Sequence, residues 1–261
     1  MTSGPGAGGK AEPDRKKEEA AAAALLLLVN RAKKKASAAA GESLDEAVAE
    51  ATRQSSKSRL RKASVFGGIL FASQTMSEKL AVAVQQGRLL ARQGARRRLA
   101  RELASLGIDA PESILGAVLV AEDLIRSKTA ADAVVASWRA SATVMAARAI
   151  RKEESVPGAV EETRQRLEKQ AGLAARNEAA DAYADERAET LRRAANDDPK
   201  FADEMASRRV VRVWVSALEE RTCTPCARHH GDVTGLDDDF DGDEPGDMHA
   251  HCLCTWYLST E

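Results

Sequence analysis

All four cysteines of this chain lie between Cys223 and Cys254, as Cys223-Thr-Pro-Cys226 and His249-Ala-His251-Cys252-Leu-Cys254, on either side of a Gly- and Asp-rich loop. A thiolate pair two residues apart offers two soft ligands from one tight turn, and a distant His with a further thiolate completes a tetrahedron around zinc. Cys223, Cys226 and His249 are the first three ligand candidates, and Cys252 and Cys254 compete for the fourth place. His251, His229 and His230 read as exposed loop histidines. The expected cofactor is a structural Zn2+, since five good donors leave no open coordination position for a catalytic water.

The same stretch offers other chemistry. Cys-x-Pro-Cys after a strand also fits a thioredoxin-like dithiol or a disulfide, but the preceding chain is helical rather than βαβ. Asp237, Asp239, Asp241 and Gly242 match the first half of an EF-hand, yet position 12 is Met248 instead of a bidentate Glu, so a solvated acidic loop is expected. No Ser-His-Asp arrangement and no Walker-type glycine loop occurs, and the chain is expected to be neither an enzyme nor a binder of a small-molecule substrate.

The elements that must carry the cluster are mostly helical. Hydrophobic residues make up 44% of the chain but aromatics only 3%, and much of the apolar content is alanine, which favours long helices with thin side-chain layers. The fold class expected is mainly α: an elongated helical body with a small C-terminal β-containing zinc knuckle. Residues 1–14 read as a disordered arm, 15–156 as a helical region with a basic face, 157–208 as a long helix and connector, and 209–261 as the Cys/His domain. Within the helical region, Gly41 is a natural stop, Ser43 opens a second helix with Glu46 in a capping box, and Phe66-Gly-Gly-Ile is a break. Asp109 and Pro111 mark another start, with Ile114, Leu115, Val118, Leu119 and Ile125 as its buried stripe, and Thr129 with Asp132 begins the next. Val211, Val213 and Val215 alternate with Arg212, Trp214 and Ser216 at the two-residue period of a strand, and residues 254–258 read as a second. The cysteine pairs then sit at strand ends, clamping a β unit with too few apolar side chains to hold itself together.

Charge divides along the chain. Residues 1–101 hold 20 Lys/Arg against 9 Asp/Glu, a balance of +11, although the whole chain is at −1. Arg88, Arg92 and Arg96 fall on one helical face, followed by Arg97, Arg98 and Arg101, and this stripe reads either as a contact for DNA or a protein partner or as a face paired with acids of the same fold. No aromatic residue interleaves with the arginines, so single-strand stacking gains no support. Ala20–Val29 is an apolar run of ten residues where a membrane span needs about 20, and no membrane association is expected.

The run from Val213 through Cys223-Thr-Pro-Cys226, His229-His230-Gly231, Pro245 and Met248-His-Ala-His-Cys-Leu-Cys254 resembles the C-terminal motif of the phage Mu F-like head morphogenesis proteins. In that family a Trp-bearing strand leads into D-x-R-x-C-x-x-C and the segment ends in H-P-x-C-R-C. Ala174-Ala-Arg-Asn-Glu178 resembles the family's A-R-T-E segment more loosely. Glu219, Ala250 and Leu253 depart from the pattern without removing a candidate ligand. The resemblance implies a minor head protein of a tailed phage or prophage, located in the virion, assembled in the host cytoplasm and associated with the portal and other head proteins. It implies double-stranded DNA without sequence preference as a further partner. The alternative reading is a cellular zinc-ribbon protein that binds nucleic acid, for which the acidic stretch Asp232 to Asp247 is unfavourable.

Overall fold

Alanine and glycine at helical spacing let helices approach closely, and the structure uses them that way. The structure, a computed structural model, describes residues 14–54, 67–68, 72–115, 121–151, 156–216, 224–236, 238, 240, 245 and 252–260. Its elements in chain order are α1 (Arg15–Gln54), α2 (Ser73–Ser105), α3 (Glu112–Leu115), α4 (Ala121–Arg151), α5 (Val156–Asp197), α6 (Pro199–Ser207), β1 (Val210–Val215), α7 (Thr224–Arg228), β2 (Val233–Thr234) and β3 (Thr255–Thr260). The fold is mainly α with a small C-terminal antiparallel sheet, as expected. The chain forms two compact units, one of residues 1–28, 89–118 and 180–261 and one of residues 29–88 and 119–179.

The second unit is an antiparallel four-helix arrangement of α1, α2, α4 and α5. Gly87 on α2 faces Ala32 on α1 so closely that a Cβ at Gly87 would stand 2.8 Å from the Ala32 Cβ. Ser37 Oγ of α1 donates to the Glu168 carbonyl of α5 at 3.0 Å, and Trp138 Nε1 of α4 donates to the Thr163 carbonyl of α5 at 3.2 Å. Val29, Ala36, Leu44, Leu80, Val84, Val135, Trp138 and Leu167 are buried there. Arg88 lies inside this unit as well, ion-paired to Asp123 at 2.7 Å and Glu178 at 2.6 Å.

Several expected boundaries are corrected. Gly41 does not stop a helix: α1 continues through it, because its missing side chain makes room for Glu168 of α5. Thr129 lies inside α4 rather than opening a helix, and Ile125 faces solvent at 67% exposure instead of lining a core. Ile114 is buried as expected. Residues 1–13 of the arm expected at 1–14, Phe66 and Ile69 of the Phe-Gly-Gly-Ile break, and Val118 and Leu119 lie outside the described residues.

In the first unit, α2 ends in a left-handed turn: Gly107 has φ of +71° and Ile108 N returns to the Leu103 carbonyl, closing the last carbonyls of the helix. Asp198 caps α6, accepting from Lys200 N and Phe201 N ahead of Pro199 in its first turn. The sheet has strand order β2-β1-β3, all antiparallel, with Trp214 opposite Trp256 and Arg212 opposite Leu258. One face carries Val211, Val213, Val215 and Tyr257 against Ala21 and Ala22 of α1. The other carries Val210, Trp214, Trp256 and Leu258 against Leu99 and Leu103 of α2, Leu191 and Ala194 of α5, and Phe201 and Met205 of α6.

That packing overturns one expectation. All six residues of β1 are buried, so the sheet does not lack an apolar interior. Helices distant in sequence supply it.

Candidate metal centre

The sulfur site is built where the sheet ends. Cys226 sits on α7, whose carbonyl side is anchored by Ser216 at the end of β1: Ser216 Oγ donates to the Cys226 carbonyl at 2.6 Å, and Ser216 N donates to His230 Nδ1 at 3.3 Å. The turn after α7 returns to the same strand, with Gly231 N donating to the Trp214 carbonyl and Trp214 N to the Asp232 carbonyl. Gly231 takes a φ of +82° there, a conformation that glycine adopts without penalty. Cys252 and Cys254 lie immediately before β3 and belong to the same buried cluster as Cys226.

These elements bring the ligand atoms of Cys226, Cys252 and Cys254 within 4.8 Å of one another, all buried. Cys226 Sγ and Cys252 Sγ are 3.7 Å apart, well beyond the ~2.05 Å of a disulfide bond. Three buried sulfurs that converge in this way can hold a metal ion. Cys223 and His249, expected as first ligands, lie outside the described residues, as does His251. Cys252 and Cys254 were expected to compete for one place; instead both stand beside Cys226.

The two described histidines are corrected from exposed loop residues to packed ones. His229 stacks on Trp214 with ring centroids 4.9 Å apart, and its Nδ1 lies 3.0 Å from Asp232 Oδ2. His230 is tied to Ser216, and its Nε2 is 3.8 Å from the buried Glu18 of α1. Of the EF-hand-like loop, Asp237, Asp239, Asp241, Gly242 and Met248 lie outside the described residues.

A pair of residues that spacing did not reveal supports this site. Trp214 turns its backbone groups toward the β2 side, so the opposite pair leaves the polar groups of Trp256 and Leu258 at the outer edge of β3. Arg187 Nη2 donates to the Trp256 carbonyl at 3.1 Å, and Glu102 Oε2 accepts from Leu258 N at 3.2 Å and from Arg187 Nη2 at 2.7 Å. A buried ion pair thus stands in for a neighbouring strand. The Arg187 guanidinium also lies 4.0 Å over the Trp256 ring. Burial works against the Arg187 charge, but Glu102 and Tyr183 outweigh it and hold its pKa above the ordinary value.

The arginine stripe expected to meet DNA or a portal is corrected at its first three members. Arg88 is 0% exposed, and Arg92 and Arg96 are also buried. Arg92 Nη1 pairs with Glu186 Oε2 at 2.6 Å, and Arg96 Nε pairs with the other oxygen of the same carboxylate. A buried guanidinium must be paired, so this regular spacing serves the interior. Arg98 is half-buried and bonds Glu102 at 2.6 Å; Arg97 and Arg101 are exposed.

Burial pulls the Glu186 carboxyl upward, but hydrogen bonds from Arg92 and Arg96, the Coulomb attraction of Arg96 and the Thr190 hydroxyl outweigh that and hold it below the ordinary range. A depressed carboxylate contributes stability that is complete above its unfolded pKa, ~4.3, and is lost as pH falls through the lower folded value. The urea midpoint of the wild type should fall as the medium is acidified through that window. Glu186→Gln should start from a lower midpoint at neutral pH and show a shallower acid fall; a parallel fall would remove Glu186 as the acid-sensitive group.

No described helix is long and apolar enough to cross a membrane. No curated protein and no solved structure matches the chain. Residues 128–257 match the family model described as Phage Mu protein F like protein, a span that begins on α4, contains β1, β2 and all three converging sulfurs, and ends within β3. The chain belongs to the phage Mu protein F-like family.

Proposed function

We propose that the chain is a non-enzymatic minor head protein of a tailed phage or prophage, which joins the portal and other head proteins during procapsid assembly and remains in the virion. The observation that carries this reading is the family match, which runs through the sulfur site and the sheet around it. The protein's chemical task is then to present a fixed surface rather than to turn over a substrate.

In this reading the ion is zinc. For Zn–S bonds of ~2.3 Å, two sulfurs of a tetrahedron stand about 3.8 Å apart, and the Cys226 to Cys252 spacing of 3.7 Å fits that edge. Cys226, Cys252 and Cys254 would hold the ion, with Cys223 or His249 as the fourth donor. Zinc supplies a redox-inert cross-link between α7 and the start of β3. A zinc ribbon that reads nucleic acid is less well supported, because the β1 and β3 side chains are covered by helices on both faces. The thioredoxin-like reading is weakened by the wholly antiparallel pairing of the described strands.

The test is assembly. Mass spectrometry of purified particles should find this chain at a few copies per head, and affinity capture of the tagged chain from cells forming procapsids should retain the portal protein. Deleting its gene should reduce the yield of filled heads. Particles that lack the chain, together with normal yields after deletion, would overturn the reading.

A further inference from the structure

The buried side of α4 is lined by Ser127, Ala131, Val134, Trp138, Ala142 and Met145, the stripe that packs it into the second unit. Its opposite side is not the charged surface that such a stripe leads one to expect. Ile125, Thr129, Ala133, Ala136, Ala140 and Thr143 are exposed and share one arc, which runs uncharged for about five turns. Ile125 at one end and Val144 beside the other are each 67% exposed, and the centre between them holds only alanine. Along one edge of the arc stand Asp132 and Arg139, about 10.5 Å apart along the helix axis. Asp132 accepts from the Ser77 hydroxyl and from Lys128 at 3.1 Å, whereas the Arg139 guanidinium makes no ion pair among the described residues. Beside them a cleft of about 320 Å³ opens between α2 and α4, and a second carboxylate, Glu78, joins Asp132 on its wall.

We propose that this face of α4 pairs with the same face of a second copy of the chain, the two helices antiparallel about a two-fold axis beside Ala136. Charge selects both the partner and the direction. In the antiparallel pair Asp132 of each copy stands opposite Arg139 of the other, since the two residues lie equally far from the axis on the same edge of the arc. A parallel pair would set Asp132 against Asp132 and Arg139 against Arg139. Each Arg139 guanidinium then reaches the cleft of the other copy, where Glu78 and Asp132 supply its counter-charge. Ala133, Ala136 and Ala140 let the helices come close at the centre, and near the ends each Ile125 covers the small Ala147 of the other copy. The contact is one helix wide, so the dimer is weak and concentration-dependent rather than obligate. Neither the sulfur site nor the head-assembly reading enters this inference.

Sedimentation velocity of the full chain, followed as its concentration rises into the high micromolar range, should show monomer giving way to dimer. Asp132→Lys and Arg139→Glu, each alone, set like charges opposite one another twice and should weaken the dimer at least about tenfold. Mixed in equal amounts, the two variants bring every new lysine opposite a new glutamate and every remaining arginine opposite an aspartate, so heterodimers should form about as readily as the wild-type dimer. Ala136→Cys, beside the axis, should cross-link to itself on mild oxidation, while Arg31→Cys, also exposed but on α1, should not. Should a charge variant lose its helicity, the two cysteine variants decide alone. Four results would overturn the proposal: a wild type that stays monomeric throughout, single charge variants that dimerise as it does, a mixture in which the folded variants remain apart, or Arg31→Cys cross-linking as readily as Ala136→Cys.

Discussion

Removing either member of the Glu102–Arg187 pair should destabilise the first unit by about 3–5 kcal/mol, the usual cost of leaving one charge of a buried pair without its partner. Arg187→Met leaves Glu102 with Arg98 alone and frees the Trp256 carbonyl; Glu102→Leu leaves Arg187 uncompensated and the Leu258 amide without an acceptor. At roughly 2–4 °C per kcal/mol for a chain of this size, a melting temperature lower by about 10 °C is expected. The Leu258 amide should also lose protection from hydrogen exchange, which a general loss of packing would not single out. The double variant should recover part of the loss, because two apolar side chains no longer strand a charge. Single variants within about 0.5 kcal/mol of the wild type would mean that the pair contributes nothing beyond an ordinary surface contact.

The same pair explains how far the site could be read from the chain itself. Alternating valines marked β1 because a strand shows its period locally, and the cysteines and histidine stood out because their residue types are rare here. Glu102 and Arg187 carry no such sign: they are 85 residues apart, and Glu102 reads as a simple i,i+4 partner of Arg98. The arginine stripe failed for a related reason. A step of four places side chains on one face, but whether that face meets solvent or a carboxylate depends on Asp123, Glu178 and Glu186, all distant in sequence. Gly41 misled because the residue that ends helices is also the one that lets two helices touch. The pairing of β3 with β1 depends on contacts across some 45 residues and on helices that close both faces of the sheet.

Metal removal should unmake less of the molecule than it does in a free-standing finger. There the apo chain is unfolded, with apparent binding energies of about 10–16 kcal/mol, because nothing else holds it. Here Trp214, Trp256 and Leu258 are already packed against α2, α5 and α6. Purified protein should contain one zinc per chain, and Cys226→Ser, which removes a donor from the three-sulfur face, should release it. The turn from α7 to β2 should then loosen around Trp214, red-shifting tryptophan emission and lowering the melting temperature. Far-UV helicity should stay largely intact, because the four-helix unit keeps its own buried core around Trp138 and Leu80. The equivalent variants Cys252→Ser and Cys254→Ser should behave like Cys226→Ser if all three sulfurs bind, whereas a silent one would be a bystander. Protein that is free of metal as purified, indifferent to chelators and unchanged by Cys226→Ser would reduce the cluster to a packing motif, leaving the sheet held by its helices alone.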